Sequence, residues 1–314
     1  MRLLLTFSLL CTALTCFAQE QTFYYKKNNR KVELKDSADY IRVVRAPEPG
    51  TTLYKVTDYY KNGKLKLTGE STKDYPVYFQ GKKITYFENG VKSSESEYNN
   101  DKLIGFINEF FPNGKLYLVK DPAKEPFSDD NIIANYDSLG KQLVTTGNGY
   151  CKLYDEDFKV LAAEGAVKEG KRDGVWNFKN DGATRVETYA QGKFLEGTHT
   201  TAEGEIIKYT KRDIPPEFRG GAKGFTMFLE NTIRYPAIER NNKIQGKVFI
   251  GFVVEKDGTL SNITSLRAPN EGLANEAIRV LQLSPAWSPG IQYGRPVRVQ
   301  YTVPINFSLG AGSN

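Results

Sequence analysis

The residues able to do acid–base or nucleophilic chemistry are few and scattered. His199 is the single histidine in 314 residues, which excludes His-cluster metal sites and leaves little for a His-based triad. Two adjacent acid pairs, Asp129-Asp130 and Glu156-Asp157, have the residue types for a carboxylate dyad acting as general acid and base. Both lie in turn-like contexts, where exposed carboxylates are the ordinary outcome. Of three cysteines, Cys11 and Cys16 fall in an apolar N-terminal run, so Cys151 stands alone and an internal disulfide has no second partner. Its expected role is that of a buried, inert thiol. The chain is read as a non-enzyme with no cofactor and no metal.

The N-terminal run sets the compartment. Arg2 precedes an apolar stretch of about fifteen residues, Leu3 to Phe17, followed by CFAQE. Cys16 and Ala18 are small residues at the spacing signal peptidase requires, which predicts a signal peptide over residues 1–18 cleaved after Ala18. A bilayer-spanning helix needs roughly twenty apolar residues, so a retained anchor is the weaker reading. A lipoprotein acylated at Cys16 is weaker still, because Ala13-Leu14-Thr15 fits the usual preceding pattern poorly. The expected location is the periplasm or cell envelope. The formal charge of +6, to which Arg2 contributes one, is spread over intermixed acids and bases. No Lys/Arg block is dense enough to argue for nucleic acid.

The middle of the chain repeats. YYKNGKLKLTGE (Tyr59 to Glu70), YFENGVKSSESEY (Tyr86 to Tyr98), FFPNGKLYLVK (Phe110 to Lys120) and NYDSLGKQLVTTG (Asn135 to Gly147) each carry an aromatic, a turn ending in Gly and an alternating segment. Their turn glycines Gly63, Gly90, Gly114 and Gly140 are spaced by 27, 24 and 26 residues. Asn-Gly relieves the steric cost of positive φ, so the spacing predicts two-residue hairpin turns joining stacked antiparallel hairpins that bury a shared face. The stretch EGAVKEGKRDGVWNF, Glu164 to Phe178, resembles a MORN-type repeat through Gly165, Gly170, Gly174 and Trp176. That resemblance implies contact with lipid or protein. The ordinary role of the aromatics is a ladder of cross-strand pairs.

The grammar changes at KRDIPPEFRGG. Phe225, Phe228, Leu229 and Ile233 recur at helical spacing and Tyr235-Pro236 stops that helix. Val248, Ile250, Phe252 and Val254 share one face of a strand, Lys256-Asp257-Gly258 turns the chain, and Leu260 to Leu266 returns. Ala274, Ala277, Ile278 and Leu281 make an amphipathic helix, and PVRVQYTVPINF places Val297, Val299, Tyr301 and Val303 on one face of a final strand. The expected fold class is therefore a mainly β, MORN-like repeat array followed by a small α+β domain in the order α-β-β-α-β. The expected parts are a signal peptide (1–18), a lead-in (19–57), the repeat domain (58–212), the α+β domain (213–309) and a tail (310–314).

Tyr235-Pro236, Gly246 with its alternating strand, Asp257-Gly258, the Ala277 helix, Trp287 with Pro289-Gly290, Gly294-x-Pro296-Val297 and Val303-Pro304-x-x-Phe307 occur in order. This segment resembles the C-terminal domain of the TonB energy-transducer family. The resemblance implies an adaptor that grips an extended peptide by adding it to a sheet edge, in a link to energy-coupled transport. The implied partner is a TonB-dependent outer-membrane transporter or another envelope protein, and the implied binding residues are Arg298, Val299, Gln300, Tyr301 and Thr302. The resemblance also implies an uncleaved anchor and a Pro-rich spanner, in whose place a cleaved signal peptide and repeats are expected here. A second reading is a structural envelope module whose repeats bind lipid, glycan or protein.

Overall fold

A computed structural model describes residues 20–122, 131–180 and 182–309. The expected signal peptide, the Asp129-Asp130 pair and the tail 310–314 lie outside them. Seventeen strands lie between Glu20 and Tyr209, paired antiparallel, and an α+β portion follows. The chain divides into two compact units, Met1–Asp173 and Gly174–Asn314.

In the first unit strands already occupy the expected lead-in. Glu20–Tyr25 pairs with Tyr40–Arg45, which pairs with Tyr54–Tyr60, so the hairpins begin well ahead of Asp58. The turns at the four repeat glycines differ from the two-residue form expected. In each, a residue three before the glycine accepts its N–H, as in Gly63 N–H to Tyr60 O at 2.8 Å, and donates to the residue after it, as in Tyr60 N–H to Lys64 O at 2.8 Å. The glycines have φ of +81° to +92° whereas Asn62, Asn89 and Asn113 keep negative φ. A register shift sits just before every one of these turns. This is the three-residue hairpin with a glycine bulge. The two-residue form does occur at the opposite ends of the strands, as at Asn100-Asp101 and Thr146-Gly147, where both residues have positive φ.

The turn asparagines explain why the long turns repeat. Asn62, Asn89 and Asn113 each accept the N–H two residues on through Oδ1, at 2.9–3.0 Å. Their Nδ2 groups donate to the next turn along: Asn62 to Glu88, Asn89 to Pro112 O and Asn113 to Ser138 O, at 2.9–3.0 Å. One side chain thus closes its own turn and fastens it to its neighbour.

Beneath the strands the interior mixes apolar and polar groups. Val44, Val56, Leu67 and Phe79 form one cluster. Phe111, Tyr117 and Phe158 form another, with centroids 4.8–5.2 Å apart. Such pairs contribute about 0.5–1.5 kcal/mol each beyond burial. Asp58 is 1% exposed and accepts Arg42 Nε and Nη2 at 2.7 and 2.8 Å. Buried Asn135 joins three strands by donating to Tyr117 O and Lys152 O and accepting the Lys152 N–H. Cys151 is fully buried, and burial pushes its thiol up to about 12. That protonated state suits the inert role expected.

The second unit opens within strand Lys171–Asn180, which carries the fully buried Trp176, and continues through strands Ala183–Ala190, Lys193–Thr200 and Ile206–Tyr209. Buried Glu187 accepts the Tyr209 hydroxyl at 2.6 Å and the Tyr189 hydroxyl. Helices α1 (Gly221–Thr232) and α2 (Ala237–Asn241) follow, then strands Gly246–Val254 and Leu260–Arg267, helix α3 (Glu271–Gln282) and the terminal strand Val299–Phe307. Asn270 caps α3, accepting the Leu273 N–H at 3.1 Å. An apolar cluster forms the core, where Val248, Ile250, Phe252 and Val254 meet Leu273, Ala277 and Leu281 of α3 and Trp287, while the carboxylates of Glu239 and Glu276 are buried as well. Trp287 sits 5.4 Å from Phe252 and 5.9 Å from Tyr301, and its indole donates to Ser284 Oγ. Gly258 has no alternative, since at φ +85° a Cβ would lie 1.9 Å from Trp287 O.

Helix α2 and a short ribbon are additions to the expected α-β-β-α-β order. Gly290–Gln292 and Arg295–Val297 form the ribbon, which also pairs with Asp213–Ile214. Val297 therefore belongs to this ribbon and not, as expected, to the terminal strand. At its tip Tyr293 (φ +49°) donates its N–H to Arg212 O at 2.7 Å and packs 5.8 Å from Tyr209. These contacts tie the last array strands to the α+β portion, so the compact unit starts at Gly174 although the sequence grammar changes near residue 213.

Candidate partner-binding edge

The sheet of the α+β portion has three strands, with Gly246–Val254 in the middle. Its two edges differ. Leu260–Arg267 pairs with two register shifts, and Asn262 has φ +52°. Bulges of this kind twist an edge away and discourage further pairing. The terminal strand Val299–Phe307 pairs with the middle strand over nine consecutive residues, Val254↔Val299 to Gly246↔Phe307, without a shift. Among the described residues no strand pairs with its other side.

Pro304 orients that edge. In an antiparallel strand the N–H and C=O of one residue point to the same side, and successive residues alternate. A proline within a sheet places its missing donor toward the open side. Gln300, Thr302 and Asn306 share the parity of Pro304, so their main-chain groups face outward, while those of Val299, Tyr301 and Val303 bond to the middle strand. The contact from Thr264 Oγ1 to Gly251 O agrees. Gly251 stands opposite Thr302, and its carbonyl points away from the terminal strand.

The five residues expected to bind therefore have three roles. Gln300 and Thr302 have exposed side chains and open main-chain groups. Val299 and Tyr301 turn toward the core, Tyr301 lying 6.1 Å from Phe252, and register the strand. Arg298 precedes the strand and grips Glu255 through Nε and Nη2 at 2.6 and 2.8 Å. The Arg298 hydrogen bonds hold the Glu255 carboxyl below the usual carboxylate range. Glu255 was missed by sequence reasoning, because its partner is 43 residues away.

The acid pair Glu156-Asp157 lies in an exposed turn, where Asp157 pairs with Lys159 at 2.9 Å. His199 stands across from Arg185 and Ile207. Among the described residues no three His, Cys, Asp or Glu side chains gather as a metal site, and no helix is long and apolar enough to cross a membrane.

No curated protein and no solved structure matches the chain. Residues 231–309, from the end of α1 to just past the terminal strand, match the family model of the Gram-negative bacterial TonB protein C-terminal.

Proposed function

We propose that this chain is a cell-envelope adaptor that binds an extended segment of a partner by β-strand addition along Val299–Phe307. The observation carrying this reading is the contrast between the two sheet edges: one bulged, the other regular, unpaired and oriented by Pro304. Strand addition draws affinity from main-chain hydrogen bonds, so an edge with few specific side chains is what it requires. Gln300 and Thr302 supply the open donors and acceptors nearest the Arg298–Glu255 pair. The partner is an outer-membrane transporter or another envelope protein, and the domains are read as an array over 20–212 and a binding head over 213–309, behind a cleaved signal peptide. The test is in-cell photo-crosslinking from positions 300 and 302, with matched positions on Leu260–Arg267 as controls. Capture of an envelope protein from the terminal strand alone is expected. Equal capture from both edges, or capture from array positions only, would overturn the assignment.

A further inference from the structure

The second unit contains a groove whose positive charges are poorly answered. Arg185 and His199 face each other across neighbouring strands, and the ring of Tyr293 lies 3.8 Å from the Arg185 guanidinium. Arg185 Nε and His199 Nδ1 are both buried and make no hydrogen bond. Glu187 is 3.5 Å from that Nε, but its oxygens already accept two tyrosine hydroxyls. Arg295, His199 and Gln292 line both this hollow and an adjoining one, and Lys256 opens onto the second. Neither Arg295 nor Lys256 has a hydrogen-bonded or ion-paired partner among the described residues, and the only acid among the lining residues is Glu203. Buried nitrogen atoms without a hydrogen-bond partner are rare enough to require an explanation.

The position of the groove adds to its charge. Val299, where the free edge begins, pairs with Val254. Lys256 follows Val254 by two residues and Arg295 precedes Val299 by four. The cations thus gather at the Val299 end of the edge. The hollow of about 390 Å³ also has Phe178 and Tyr293 as walls, a size suited to a few side chains rather than a lone small ion.

We propose that this groove receives acidic side chains of a partner segment where that segment runs past Val299, so that carboxylates supply the acceptors that Arg295 and Lys256 lack. This rests on the strand-addition reading for its geometry, but its chemistry can be tested separately. Isothermal titration of the purified protein would use hexaglutamate, hexaglutamine and inorganic phosphate. Hexaglutamate is expected to bind and hexaglutamine not. The double variant Arg295→Glu/Lys256→Glu should lose tenfold or more in affinity with its circular-dichroism melt unchanged, while Lys64→Glu/Lys102→Glu, an equal charge change on the array, should lose little.

Equal affinity in the folded groove variant, or no hexaglutamate binding at all, would overturn the proposal. Phosphate displacing hexaglutamate at equal concentration would overturn the assignment to an acidic peptide in favour of a small-anion site. Gln300→Pro separates the two readings: retained hexaglutamate binding with lost partner capture supports both, whereas retained binding with retained capture removes the edge and leaves the groove.

Discussion

The hairpin array and the α+β head are both antiparallel, but they hold their strands by different means. In the array most strands pair with their chain neighbours, turns are fastened to turns by asparagine, and the interior is joined by polar groups such as Asp58 with Arg42 and Asn135. In the head the middle strand meets the terminal strand 45 to 61 residues away, over an apolar core. Local closure lets an array be built by repetition, since each hairpin needs little loop-closure entropy. The head must instead assemble around one core, and that core leaves a regular edge available for a partner. The contrast suggests where each region is vulnerable: the head in its packing, the array in its polar joints.

The largest losses are expected where a core side chain or half of a buried ion pair is removed. Trp287→Ala should lower stability by about 3–5 kcal/mol, read as a shift in urea midpoint by far-UV circular dichroism. An unmoved midpoint would show that the ring does not hold the head together. Asp58→Ala strands the Arg42 guanidinium among Tyr25, Tyr40 and Phe79; a loss of roughly 3–5 kcal/mol is expected. A loss below 1 kcal/mol would mean that the array does not depend on this joint.

The terminal strand allows a sharper contrast one residue apart. Tyr301→Pro removes a donor from the internal ladder and should destabilise the head by ~3 kcal/mol or more. Gln300→Pro removes an outward donor, so it should leave the melt nearly unchanged and abolish partner capture, while Gln300→Ala should have little effect on either. Equal destabilisation by both prolines would refute the orientation derived from Pro304.

Smaller effects are expected along the turn row. Asn113→Ala loses both the turn bond and the bridge to Ser138, about 1–2 kcal/mol in all, and Asn113→Asp keeps the first and loses the second, about half of that. Identical losses in thermal melts would show that the bridge contributes nothing. The least effect is a pH dependence in the head. Burial raises the Glu276 carboxyl, but the Arg279 hydrogen bonds and the Arg234 N–H outweigh it, and the group is held below its ordinary value. A depressed carboxyl stabilises the fold above its unfolded pKa, and that contribution is lost as pH falls through the folded one. The margin of the wild type over Glu276→Gln should therefore be full near neutrality and shrink below about pH 4. A margin that grows on acidification would reverse the assignment.

Much of this was legible in the residues. The alternation of Val248, Ile250, Phe252 and Val254, the turn at Gly258 and the periodicity of α3 each report local backbone preference or a buried face, and the structure keeps all three. The Asn-Gly turns were located correctly but given the wrong length, because the same dipeptide serves two hairpin geometries and a bulge upstream decides between them. The ribbon escaped notice because its turn uses Tyr293 at positive φ, an uncommon choice that contacts with Arg212 and Tyr209 sustain. The regularity of one sheet edge and the bulges of the other could not be read in advance, since pairing depends on a strand's neighbours.

By itself the sequence determined the order of the longer elements of the head, the repeat of turns and the apolar faces, all of which depend on residues within a few positions of one another. Only the tertiary structure decided which strand edge stays free, that Arg298 meets Glu255, and that Arg185, His199, Arg295 and Lys256 line adjoining hollows. These are relations between residues far apart in the chain. Periodicity is silent about them, because which surfaces remain unpaired is settled only when every strand competes for the same partners.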